Sequence, residues 1–290
     1  MISRDRMVLW YHSRRFPTGG TFSARCPIAD KAFTMKDDLG DRMKRDYESR
    51  TRFLLPRRTY TLLRIDGKAF HTYTRGCDRP YDLDLMADMD TAAAALCKEA
   101  QGAVLGYVQS DEISMLLTDF SDIGTEAWFD GNLQKLASIS ASIVTAHFNA
   151  ARFARGITEK LAVFDARVWT IPLPIEVENY FVWRQQDATK NAISMTAHAH
   201  FSHASLQGLS TDQMQERLFS EKGINFNDLP VGFKRGRVIE RQTSEQSVTY
   251  THKRTGEEQS ALALRSAWVS VEPPVFTRDR GWLRERLPVT

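Results

Sequence analysis

The chain has 290 residues, of which 42% are hydrophobic and 26% charged, proportions ordinary for a globular protein with a real core. Its formal net charge of +3 is a poor guide to its partners: residues 1–34 carry six basic residues (Arg4, Arg6, Arg14, Arg15, Arg25, Lys31) against Asp5 and Asp30, net +4, which leaves 33 basic and 34 acidic residues, net −1, in the rest. A globally basic nucleic-acid binder is therefore excluded, and RNA would have to be met through a local patch. Lys234, Arg235 and Arg237 form one candidate, and Arg278, Arg280, Arg284 and Arg286 another. No apolar run approaches the ~20 residues of a membrane helix, and the N-terminus has no continuous apolar stretch of the secretory kind. The reading is a cytoplasmic protein without a membrane partner. Cys26, Cys77 and Cys97 include no C-x-x-C pair and read as ordinary thiols.

In chain order, residues 1–34 scatter Trp10, Tyr11, Phe16 and Phe22 without period. They are expected to be a disordered extension or a mis-assigned start, with Met35 opening a charged helix. Thr59 to Asp66 is β-rich and stops at Gly67, which predicts a buried strand. Residues 82–99 have helical spacing and propensity. Ala103 to Gln109 and Ile113 to Thr118 read as two strands joined by a tight turn at Ser110, Asp111 and Glu112. Residues 126–155 are helical, Ala166 to Pro172 a strand, and residues 175–201 a long helix. Thr211 to Lys222 follows as a shorter helix capped by Ser210. Beyond Arg235, two or three weak strands surround Thr255 and Gly256. The order from Thr59 to Pro172 is β-α-β-β-α-β, an α+β, ferredoxin-like antiparallel sheet with helices on one face. Residues 35–175 form this domain, and residues 176–290 add helical and small β elements that pack on it.

That topology has strand order 4-1-3-2, so the first and third strands are neighbours. The end of the first strand, Asp66, then lies beside the turn carrying Asp111 and Glu112. Carboxylates that converge in this way repel one another unless a cation neutralises them. Hard divalent cations such as Mg²⁺ take oxygen ligands and leave places for phosphate. Two such ions ~4 Å apart clamp the attacking and leaving oxygens of phosphoryl transfer. The geometry thus predicts a two-metal nucleotidyltransfer site, with the Gly67 carbonyl as a further oxygen. An Asp-Gly after a strand is by itself usually a plain turn. The backbone after Gly67, through Lys68, Ala69, Phe70 and His71, has N–H groups suited to a triphosphate. Taken singly, Phe70 reads as a core aromatic, His71 as a loop histidine and Lys135 as a solvated helix lysine. His198, His200 and His203 lack acidic or cysteine partners at metal spacing. A palm-type nucleotide cyclase or dinucleotide synthase fits the same geometry, and a non-catalytic RNA-binding palm is a third class. The Ser-Asp-Glu tip, without paired glycines, separates this chain from the cyclase type.

The segments RIDGKAFHTYTRG and GYVQSDEISMLL resemble the tRNA-His guanylyltransferase family. AWFDGNLQKLASISAS, FDARVWTIP and YFVWRQQDATKNAISM extend the resemblance from about Met35 to Arg237. It implies a polymerase-like palm that works 3′ to 5′ on the 5′ end of tRNA, with Mg²⁺ and with GTP or ATP as substrates. It further implies that Asp66, the Gly67 carbonyl and Asp111 bind two Mg²⁺ ions, with Glu112 in support. Asp66 through His71, Ser110, Asp111 and Lys135 would contact the triphosphate, and Phe70 the base. Arg184, Lys190, Asn191, Lys234 and Arg235 are the candidate RNA contacts, and a homotetramer is implied as the working form. Two departures from the eukaryotic pattern stand out. Thr189 occupies the place of an expected histidine, and Gly131 and Asn132 replace an expected pair of arginines. The DATKNAISM form is similar to the guanylyltransferase-like branch of bacteria and archaea. Template-dependent repair of 5′ ends is thus expected over obligatory addition of one G.

Overall fold

A computed structural model of the chain describes residues 39–251, 256 and 258–289. Residues 1–34, expected to be disordered, lie outside them, as does Cys26. The chain divides into two units, residues 1–50 and 51–290. The first contributes helix α1 (Leu39–Asp46), with Asp41 in its first turn and Lys44 and Arg45 in its last, the charge order that the helix dipole favours.

The second unit holds the elements β1 (Tyr60–Gly67), α2 (Phe70–Tyr73), α3 (Leu83–Glu99), β2 (Ala103–Gln109), β3 (Glu112–Leu117), α4 (Leu133–Ala154) and β4 (Phe164–Ile171). They are followed by α5 (Pro174–His200), α6 (His203–Leu206), α7 (Thr211–Lys222), α8 (Val231–Arg235), β5 (Arg237–Thr251), β6 (Glu258–Val271) and α9 (Arg280–Arg284). The strands form one antiparallel sheet in the order β4-β1-β3-β2-β5-β6. Its first four strands have the order that the βαββαβ reading predicts.

Alternation along the strands builds two cores. Leu63 and Ile65 of β1, with Ile113 and Met115 of β3, pack against α3 and α4 through Leu96, Val144 and Phe148. Tyr60 and Leu62, with Leu116 and Tyr107, face the other way and meet Val177 and Phe181 of α5. Phe276, Leu283 and Leu287 of the C-terminal segment complete this second core. Helices lie on one face only within the βαββαβ unit, because α5 and the C-terminal segment cover the opposite face of the whole sheet. Coverage on both sides explains why β1 reads as a nearly continuous apolar run and not as a strict alternation.

The helix ends follow local chemistry. Asp82 caps α3 and Asn132 caps α4, each accepting from a backbone N–H three residues on. Ser210 and Gln213 form a reciprocal capping box on α7. The C-terminal strands, expected to be short and weak, are long and continue the same sheet, with β5 hydrogen-bonded to the open edge of β2. Buried ion pairs join the layers. Asp88 of α3 accepts from Arg152 of α4 at 3.1 Å and from Arg155 at 2.8 Å. Asp90 holds Arg237 at 2.7 Å and Ser270 at 2.8 Å, which fixes the start of the C-terminal hairpin to α3.

Candidate active site

Strand register, not sequence proximity, assembles the site. Asp66 lies directly opposite Glu112 on β3, and the Gly67 N–H donates to the Asp111 carbonyl at 3.2 Å. The β2–β3 connection is tight, and Ser110 takes a φ of 47° within it, in the left-handed region that polar turn residues enter at modest cost. Gly67 is required for space: a Cβ there would stand 2.2 Å from the ring of Phe70. The chain then turns sharply through Ala69, itself left-handed, into the short helix α2. On the far side of β1, Asp165 of β4 is in register with Asp66. Asp165, Asp66 and Glu112 therefore form a row across three strands on the α5 face. Sequence reasoning passes over Asp165, although a signal exists: it opens the fourth strand, which the predicted topology sets next to the end of the first.

Like charges directly opposite one another destabilise a sheet, and each member of the cluster meets this differently. Glu112 is 9% exposed and Arg184 is 5% exposed. They form a two-pronged pair, with Arg184 Nε donating to Oε1 at 2.8 Å and Nη2 to Oε2 at 2.7 Å. Burial pushes the Glu112 carboxyl up, against the opposing pull of Arg184 and Arg64. Asp111 has no such cation. Burial raises its carboxyl to about 6, the charge of Asp66 adds to this, and its own backbone and the Ser110 hydroxyl oppose it. An anionic group kept out of water beside a second carboxylate is suited to a divalent cation. Among the described residues no three His, Cys, Asp or Glu side chains close on one point. A cation between Asp66 and Asp111 would draw its remaining oxygens from the Gly67 carbonyl, water and ligand phosphates, as Mg²⁺ commonly does.

Beside these carboxylates opens a cleft of ≈ 600 Å³, within the range of small-ligand sites. Gly67, Gln109, Ser110 and Asp111 line it, as do Ala188, Asn191, Ala192, Met195 and His198 of α5. Ala69, Phe70 and His71 also line it. Phe70 packs on Tyr73, Phe148 and Phe164, as its reading as a core aromatic expects, and it lines the cleft as well. His71 is exposed, with its ring 3.1 Å from the Thr72 hydroxyl. Lys68 is exposed, and its N–H donates to the Val163 carbonyl at 2.8 Å.

Lys135 is not brought to the carboxylates within one chain. It lies in the first turn of α4, with its ammonium over the Phe129 ring at 5.7 Å. The next residue, Leu136, lines a small cavity together with Thr61 and Leu117. Those residues mark the opposite end of the sheet, and five residues of strand separate Thr61 from Asp66, about 16 Å. The RNA-contact candidates also divide. Arg184 is occupied by Glu112 and Asp187. Lys234 is buried with its ammonium on the Asn227 carbonyl. Neither is presented to a surface ligand, because each serves an internal partner that the sequence does not reveal. Lys190 and Asn191 are exposed and Arg235 half-buried. Of the two basic runs, Arg237, Arg284 and Arg286 are likewise ion-paired, to Asp90, Glu178 and Glu240.

Comparison with known proteins gives this arrangement a family. The model of tRNAHis guanylyltransferase matches residues 40–172, and that of the Thg1 C terminal domain matches residues 175–272. The structure of a bacterial tRNA(His) guanylyltransferase (Thg1)-like protein in complex with ATP is similar with a TM-score of 0.75 and 43% identity, over 87% of this chain and 100% of that chain. A structure of such a bacterial protein in complex with GTP matches with a TM-score of 0.68 and 42% identity, over 86% of this chain and 98% of that one. The tRNA(His) guanylyltransferase of Schizosaccharomyces pombe is 30% identical over 79% of this chain and 92% of its own length. The chain belongs to the tRNA(His) guanylyltransferase family and is a nucleotidyltransferase.

Proposed function

We propose that this protein is a Mg²⁺-dependent 3′–5′ nucleotidyltransferase that acts on the 5′ end of tRNA, with template-dependent repair of truncated ends as its main reaction. The observation that carries the reading is the junction of Asp66 and Asp111 at one end of the sheet, tied by the Gly67 N–H, with Gly67 and Asp111 lining the cleft. Asp66, Asp111 and the Gly67 carbonyl would hold two Mg²⁺ ions. When bound, such ions neutralise phosphate charge and align the oxygens of an in-line displacement. Glu112 acts at one remove, since it fixes β3 through Arg184. The turn from Ala69 to His71, with Ser110, offers backbone N–H groups to a triphosphate, and the exposed Lys68 side chain adjoins it. ATP and GTP, bound in the two bacterial relatives, are the nucleotides expected in the cleft. Lys190, Asn191 and Arg235 are left as RNA contacts. The catalytic palm spans residues 35–175, and residues 176–290 pack upon it. A homotetramer, in which a neighbouring copy supplies Lys135 to the site, is the working form.

Two local features support repair over obligatory G addition. The Thr189 hydroxyl shares its one proton between the Gln185 carbonyl at 3.1 Å and the Lys234 carbonyl at 3.0 Å, so this position ties α5 to α8 and leaves no imidazole facing a ligand. Gly131 has a left-handed φ of 69° beside Leu55, and Asn132 caps α4. Both positions therefore serve the start of the helix and carry no charge for phosphate.

The test is 5′ extension on a gel, with Mg²⁺, the four nucleoside triphosphates and either a tRNA lacking its first nucleotide or full-length tRNA-His. Extension of the truncated tRNA by the base complementary to the opposite strand is the expected result. Addition of G to full-length tRNA-His alone would reverse the preference, and no extension of either would sink the reading. Asp66→Ala and Asp111→Ala should each lower turnover by ~10³-fold or more, in line with loss of a dominant electrostatic group. Both variants should also lose the rise in melting temperature that Mg²⁺ gives the wild type by linkage. Near-normal turnover in either would remove the metal assignment.

A further inference from the structure

Gln109 is the last residue of β2, directly opposite Glu112 in the β2–β3 register. It is 4% exposed and lines the cleft beside Ser110 and Asp111. As register partners, Gln109 and Glu112 project from the same face of the strand pair, and the amide acts on the Glu112 carboxyl as a donor that lowers its proton affinity. A carboxylate is an acceptor, so the NH₂ end of the amide must point at Glu112 and the oxygen must point away. Glu112 cannot move to accommodate a flip, because Arg184 grips both of its oxygens. Gln109 Oε1, thus oriented, has no hydrogen-bond partner among the described residues. A buried acceptor left in that state carries the desolvation penalty of the group, which a donor entering from the cleft would remove.

We propose that Gln109 is a specificity-determining residue whose Oε1 accepts a hydrogen bond from a ribose hydroxyl of the bound nucleoside triphosphate. The inference rests on the nucleotide-binding reading above and deepens it. Position in the cleft selects the sugar over the base. A single residue separates Gln109 from Asp111, at the end where the phosphates are held. Arg184 of α5 is bonded to Glu112, the register partner of Gln109, so the cleft-lining α5 residues from Ala188 to His198, ten residues or about 15 Å of helix, lead away from that end. The part of a nucleotide next to its phosphates is the ribose, and the base lies further along α5 toward Met195 and His198. A site built to satisfy a substrate hydroxyl rejects the analogue lacking it, because the buried acceptor is then left unpaired.

The test uses the full chain with Mg²⁺ and measures equilibrium binding of GTP, 2′-deoxy-GTP and 3′-deoxy-GTP by calorimetry. Wild type should bind GTP about 10-fold more tightly than at least one deoxy form, the size expected of one such hydrogen bond. In Gln109→Met, which keeps the length and removes the acceptor, that ratio should fall to within about twofold through weaker GTP binding alone. Gln109→Asn, whose oxygen is drawn back by one methylene, should give the same collapse and covers the case in which the methionine variant is unstable. Persistence of the ratio in either folded variant, a change in base preference instead, or no discrimination by wild type would overturn the assignment. Failure of wild type to bind any nucleotide would overturn the nucleotide-binding reading along with it, so the two failures are distinguishable.

Discussion

At the scale of single residues, the site stores electrostatic cost in two different ways. Asp111 carries it as a raised carboxyl, to about 6 from an ordinary 3.8. Its folded state favours the proton, so the stability it contributes is complete below about pH 4 and is lost as pH rises through about 6. Asp111→Asn should therefore melt above wild type in chelator at pH 7, by up to roughly 3 kcal/mol, since every tenfold change in proton affinity on folding is worth about 1.4 kcal/mol. The advantage should shrink to nothing by pH 4, and a melting profile for the two proteins across that range reads it directly. A constant difference at every pH would show that Asp111 does not titrate in this way. Glu112 instead spends its charge on Arg184, inside the protein. Removing one partner should cost about 3–5 kcal/mol in urea unfolding, because it strands the other charge. Glu112→Leu combined with Arg184→Met should recover most of that loss, whereas additive losses would show that neither charge depends on the other.

At the scale of elements, the helices were legible because capping and periodicity are local. Ser210 caps α7 as its place before the run predicts, whereas the helix expected from residue 126 begins only at Leu133, because a turn with left-handed Phe129 and Asp130 precedes the Asn132 cap. The strands around the Ser-Asp-Glu turn were legible for the same reason. What joins the elements was not. Asp88 and the two arginines it receives are more than sixty residues apart, and nothing in the local pattern of α3 marks it as buried. Asp88→Ala should strand Arg152 inside the α3–α4 interface and cost about 3–4 kcal/mol by the same logic as any broken buried pair. Denaturant titration would check it, and a loss below ~1 kcal/mol would reclassify the pair as a surface contact.

At the scale of the whole molecule, the candidate site lies at one end of the sheet and the C-terminal hairpin leaves from its edge. Beyond Glu240 the residues of β5 are almost all exposed, and Leu262 and Leu264 of β6 are exposed as well. Excising residues 246–263 with a short turn in their place should leave the melting temperature within a few degrees of wild type, since little apolar area is lost from the cores. Nucleotide binding should also persist, because the cleft draws on the hairpin only at Arg237. A large drop in melting temperature would show that the outer strands carry stability within an assembly of several copies.

The sequence by itself determined the element order, the strand order of the βαββαβ unit and the meeting of Asp66 with Asp111. Period, capping and turn chemistry act over a few residues, and antiparallel topology then leaves few ways to arrange the strands. Only the tertiary structure decided that α5 covers the second face of the sheet and that Asp165 joins Asp66 and Glu112 in one row. It also withdrew Arg184 and Lys234 from the surface, set Lys135 at the far end of the sheet and left Gln109 with an unanswered acceptor. Those outcomes rest on partners distant in the chain. Whether a charged or polar side chain faces water, an ion-pair partner or a ligand depends on burial and neighbours, which residue spacing does not encode.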